Sequence, residues 1–144
     1  MKKHRLIVAQ WLKNIGDEFK TPLVLEDDGH CIIPCDGSWS CVVEIPDDVE
    51  APSVYIYLPL IEMPNQPVDQ NNLMRAALSI NLFGLFSGGA HIGLDARSDY
   101  LALSFSSLIE SLSEIDFRQL LAKMLEVSPE IRYQLNQIAG QSTY

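Results

Sequence analysis

Apolar positions along the chain recur first at helical spacing, then alternately, then helically again. Val8, Trp11, Leu12, Ile15 and Phe19 form one stripe, which predicts a helix over residues 4–19. Thr21-Pro22 ends it, because the residue before a proline avoids the helical region. Leu23 to Glu26 and His30 to Ile33 are expected strands, joined by an Asp27-Asp28-Gly29 turn. After a second turn at 34–38, Trp39, Cys41, Val43 and Ile45 alternate with polar or smaller neighbours. Val54, Ile56, Leu58 and Leu60 do the same. These short segments predict an antiparallel meander.

A loop with Pro64 and Pro67 follows, then a second helix over about Val68 to Phe83 with the stripe Leu73, Ala76, Ala77, Ile80 and Phe83. Gly84 and Gly88-Gly89 are expected to end it and turn the chain into a strand carrying Ala90, Ile92 and Leu94. Residues 95–99 form a hairpin loop to a partner strand, Tyr100 to Phe105. Ser113-Glu114-Ile115-Asp116 resembles a capping box opening a last helix with Phe117, Leu120, Leu121, Met124 and Leu125 on its apolar face. Ser128-Pro129 is expected to end that helix and start another, carrying Ile131, Leu135 and Ile138, with residues 139–144 a frayed tail. Helix, several strands, helix, two strands, helix without βαβ alternation predicts an α+β domain with a twisted antiparallel sheet.

The 144 residues suit a single domain, and 47% of them are hydrophobic, enough for a core without disulfide or metal. The net charge of −9 argues against nucleic acid and anionic membranes, both of which need clustered Lys and Arg. No apolar run reaches the ~20 residues of a membrane span. The basic start Met1 to Arg5 followed by Leu6 to Ala9 has the outline of a signal peptide. Gln10, Lys13 and Asn14 interrupt it, so an uncleaved cytosolic chain is expected.

Chemistry is sparse. Cys31, Cys35 and Cys41 with His30 match no common zinc spacing, so no metal or cofactor is expected and the thiols are read as small strand residues. Asp27-Asp28 and Asp47-Asp48 lack the alternating oxygen ligands of a calcium loop and fit solvated turns. No nucleophile elbow, zinc helix or phosphate loop is present. The alternative reading is a small ligand-binding domain or enzyme using the Gly88-Gly89 turn with His91 and Asp95. A third is a subunit of a permanent hetero-complex. Tyr55 and Tyr57, with Trp11 and Trp39, mark a possible aromatic contact face if their side of the sheet is open.

Asn81-Leu82-Phe83, Gly88-Gly89-Ala90 and Gly93-Leu94-Asp95, within this order of elements, resemble the class I chaperones of bacterial type III secretion, the Tir chaperone family. The resemblance covers nearly the whole chain in element order, implying helix, three strands, helix, two strands, helix (α-β-β-β-α-β-β-α), and residues 73–105 in motif. It implies a non-enzymatic, cytoplasmic bacterial homodimer with a role in virulence. It would bind the N-terminal segment of a secreted effector in extended form and keep it soluble and export-competent. The secretion-system ATPase is a further partner the resemblance allows. Val8, Trp11, Leu12, Ile15, Leu23, Leu25 and Ile33 are then the candidate effector groove. Leu73, Ala76, Ala77, Ile80 and Leu94 are the candidate dimer contact.

Overall fold

The computed structural model describes residues 2–35, 37, 39–47, 50–83 and 89–141, with backbone alone for Phe83 and Gln141. The elements are α1 (Lys3–Phe19), β1 (His30–Pro34), β2 (Ser40–Glu44), β3 (Ser53–Glu62), α2 (Pro67–Phe83), β4 (His91–Asp95), β5 (Tyr100–Leu108), a 3-10 turn (Ile109–Ser111) and α3 (Glu114–Gln141). The strands form one antiparallel sheet in the order β1-β2-β3-β5-β4, leaving β1 and β4 at the edges. The α+β order matches the expectation.

Helix α1 buries Val8, Leu12 and Ile15, one stripe at i, i+4 and i+7. Both of its ends are tied down. At the start, Arg5 is 7% exposed and its guanidinium donates to the carbonyls of Ile45, Asp27 and Asp28. Gly29 sits against it at φ +87°, where a Cβ would lie 2.5 Å from both Arg5 Nη2 and the Ile45 carbonyl. At the far end, Lys20 takes a left-handed conformation and the Thr21 amide donates back to the Gly16 carbonyl. The returning chain passes so close to the helix that a Cβ on Gly16 would stand 2.5 Å from the Thr21 carbonyl oxygen.

Three sequence expectations are corrected. Leu23 to Glu26 is not a strand: it forms no ladder with β1, although the Glu26 amide donates to the His30 carbonyl and Leu23 and Leu25 bury their side chains. Strand β5 runs on to Leu108, pairing with β3 as far as Ser53. Ser128-Pro129 does not divide the last helix, and α3 continues to Gln141, so residues 139–141 are helical rather than frayed. Pro129 has no amide to give the Leu125 carbonyl four residues back, and the Ser128 hydroxyl donates to that carbonyl instead, at 3.3 Å. The expected Ser113 cap is present, its Oγ accepting the Asp116 amide at 3.1 Å. The expected turn at Gly84 and Gly88, and residues 142–144 of the expected tail, lie outside the described residues; Gly89 has φ +111°.

The core lies on one face of the sheet. Cys41, Val43, Val54, Ile56, Leu58 and Leu103 meet Leu12 of α1, Leu73 of α2, and Phe117, Leu121, Met124 and Leu135 of α3. Central strand β3 carries Pro59, which cannot donate to the ladder, and the register slips by one residue between Pro59 and Ile61. The opposite face is open: Tyr55 is 40% and Ile32 65% exposed.

Candidate functional site: apolar grooves and an apolar helix face

Apolar grooves flank α1. One, of about 440 Å³, lies between its C-terminal half, α3 and edge strand β1, and is lined by Ile15, Phe19, Leu23, Ile33, Ala122 and Leu125. Arg118 rims it, its guanidinium over the Phe19 ring and paired with Glu18. A second, of about 660 Å³, runs beside the N-terminal half of α1 between Ile7, Trp11, Pro52, Leu108 and Leu112, with Glu50 and Glu110 at its rim. A third, between α1 and the 22–25 segment, includes Leu23, Val24 and Leu25. Trp11 packs against Phe117 with ring centroids 5.5 Å apart and the planes tilted by 39°.

The candidate groove residues divide accordingly. Ile15, Leu23 and Ile33 are brought together in the first groove, Trp11 lines the second and Leu25 the third. Val8 and Leu12 are fully buried beneath α1, so their part is to pack the floor and not to touch a client. Phe19, Ala122 and Leu125 were not singled out as groove residues. Their apolar spacing was visible, but which side of α3 faces α1 is a tertiary fact.

Helix α2 shows the complementary pattern. Leu73 and Ala77 are buried within the protomer, and Ala76 and Ile80 are half-buried against it. Its outward face instead carries Met74, Leu78 and Leu82, a second apolar row at i, i+4 and i+8 with Leu78 69% and Leu82 76% exposed. Of the expected dimer residues, only Leu94 on β4 is largely open, at 50%. The signal for the outer row was in the sequence: Met74, Leu78 and Leu82 repeat at helical spacing one residue after Leu73 and Ala77, which gives the helix a second apolar row beside the first. Asn81, part of the recognised motif, joins helix to edge strand. Its side-chain amide donates to the Ile92 carbonyl and its Oδ1 accepts the Ile92 amide, at 2.9 and 2.8 Å.

The groups considered for catalysis are not assembled. His91 and Asp95 stand four residues apart on one strand, about 13 Å at strand rise. Asp95 accepts from the Tyr57 hydroxyl and the Arg97 amide, and the Tyr57 bond holds its carboxyl below the usual carboxylate range. Burial raises the Cys31 thiol and pushes Cys41 up to about 12, which keeps both protonated and poorly nucleophilic. His30 bridges Asp28 and Glu44 at the end of β1. No three of the His, Cys, Asp and Glu side chains among the described residues are placed to hold a metal. No described helix is long and apolar enough to cross a membrane.

The chain is similar to several solved structures. One chain of the HopA1–SchA chaperone–effector complex superposes with a TM-score of 0.67 at 22% identity, covering 92% of this chain and 98% of that one. One chain of the ExsC–ExsE complex gives 0.69 at 16% identity, with 94% and 97% covered. One from the heterodimeric ExoU–SpcU complex of the Pseudomonas aeruginosa type III secretion system gives 0.62 at 15% identity, with 87% and 94% covered. No curated protein matches by sequence. The model of the Tir chaperone protein (CesT) family matches residues 10–132, and with that span this chain belongs to the Tir chaperone family.

Proposed function

We propose that this protein is a homodimeric cytoplasmic chaperone that holds the N-terminal segment of a type III secreted effector in extended form, keeping it soluble and competent for export. The observation that carries the reading is the set of apolar grooves flanking α1, one of which opens onto the exposed sheet edge at β1. An extended peptide can pair its backbone with an edge strand and place alternate side chains in the adjoining groove. Each large apolar side chain so buried contributes about 1.5–3 kcal/mol. Several are needed, because ordering a disordered segment costs roughly 2–5 kcal/mol or more. The similar folds of chains from chaperone–effector complexes support the same reading. The row Met74, Leu78 and Leu82 with Leu94 is the proposed two-fold contact, since a two-fold axis lets a protruding apolar row pack against its own copy. Binding of this kind makes and breaks no covalent bond.

The test is affinity purification from a bacterium that encodes the chain, identification of the co-purified protein, and co-expression of the chain with that protein's N-terminal segment alone. The segment is expected to form a stable complex with two copies of the chain. A complex that needs the client's folded domain and ignores its N-terminal segment would contradict the reading.

A further inference from the structure

A second concave feature lies away from α1 and shares no residue with its grooves. Trp39, Val42, Tyr57, Pro59, Ser98 and Tyr100 line a cleft of about 460 Å³ at the end of the sheet where β2 begins and β3 slips register. Its walls are held from behind. The Arg132 guanidinium lies 4.6 Å from the Trp39 ring centre and donates from Nε and Nη2 to the Pro59 carbonyl. The Tyr57 hydroxyl donates to Asp95 Oδ2 at 2.9 Å. Trp39 and Tyr100 meet edge to face, centroids 6.1 Å apart at 79°. Both rings are half-buried, so each keeps surface toward the cleft.

We propose that this cleft binds a proline-bearing segment in polyproline II conformation. Flat, fixed aromatic walls match the flat pyrrolidine ring, and rings already immobilised lose little freedom on binding. No charged side chain lines the cleft. Arg132 and Asp95, which brace the cleft's walls, are of opposite sign and engaged in those bonds, so a neutral occupant fits better than an ion. Among the described residues the Trp39 indole N–H and the Tyr100 hydroxyl have no hydrogen-bond partner. A polyproline II strand offers unpaired carbonyls and, at proline, no amide that would need an acceptor. The inference stands independently of the α1 grooves.

The experiment follows the two tryptophan indole N–H resonances of the isotope-labelled protein, with Trp39 assigned from W39F, during titration with a proline homopeptide. A Gly-Ser peptide and an arginine homopeptide serve as controls. The Trp39 resonance is expected to move saturably with the proline peptide alone while that of Trp11 stays in place. Tyr100→Ala is expected to weaken binding about tenfold. Val42→Glu, which sets a charge in the lining, is expected to abolish it and keeps the test valid should Tyr100→Ala fail to fold. A response no larger than that to the Gly-Ser peptide, one given by the arginine peptide alone, or one unchanged by both variants would overturn the proposal.

Discussion

The flanks of α1 and the outer face of α2 are both apolar, but they differ in shape. Beside α1 the apolar side chains line grooves, one of which opens onto the sheet edge at β1. On α2 they stand out as a single row on a convex surface, with polar neighbours such as Arg75 and Ser79. A groove beside a strand edge can take side chains singly and pair a backbone, which suits an unfolded chain. A protruding row needs an equally rigid row opposite, which suits a second folded copy. Apolar exposure alone therefore does not define a partner; its curvature and the backbone beside it do.

The sharpest way to break the comparison is to charge the α2 row. Leu78→Glu with Leu82→Glu changes two side chains that are mostly exposed in the protomer, so the fold should hold. Four leucines lost from a two-fold interface remove about 6 kcal/mol or more, roughly 10⁴-fold in dimerisation. Sedimentation is expected to show a monomer with an unchanged melting profile.

Next is Leu12→Ala, which asks whether the expected groove residues under α1 are core. Leu12 is fully buried, so truncation should cost about 3 kcal/mol or more and lower the melting temperature by roughly 10 °C. Leu78→Ala combined with Leu82→Glu should leave the protomer's own stability almost unchanged from that of the double-charge variant, because Leu78 is largely exposed.

A smaller effect is expected from Ala122→Trp. Ala122 is exposed in the groove beside β1, and an indole there would fill it. Calorimetry should show client affinity falling about ten- to hundredfold, a loss of about 1.4–2.8 kcal/mol, with dimerisation unaffected.

The smallest concerns pH at the β4–β5 hairpin. Hydrogen bonds from Tyr57 and Ser98 hold Asp95 below the ordinary carboxylate value. Its folded form is therefore favoured above the unfolded pKa, about 3.9, and that contribution fades as pH falls through the lowered one. The melting temperature should drop on acidification through this range, and Asp95→Asn should flatten the slope slightly.

Much of this was legible in the chain. The period-3.6 stripe of α1, the alternation of β2 and β3, and the Ser113 cap are local signals, and each was found where expected. The segment Leu23 to Glu26 has a strand's alternation and buries Leu23 and Leu25, but the ladder that makes a strand depends on a neighbour. Local rules stop a helix at Ser128-Pro129, but the Ser128 hydroxyl satisfies the Leu125 carbonyl and the buried Val127, Ile131 and Leu135 hold α3 on its course. For the functional surfaces, periodicity identified the apolar residues and not which of them face inward. Val8, Leu12, Leu73 and Ala77 proved to be core, while Met74, Leu78 and Leu82 stand exposed. A stripe long enough to be noticed is usually one the protomer itself buries.

The most direct measurement is amide hydrogen exchange on the purified protein with and without a bound client segment. Slowed exchange is expected along β1 and the turns of α1 and α3 that wall the grooves, with α2 and β4 equally protected in both states. Protection that appears on α2 and β4 while β1 and α1 stay unchanged would contradict the account.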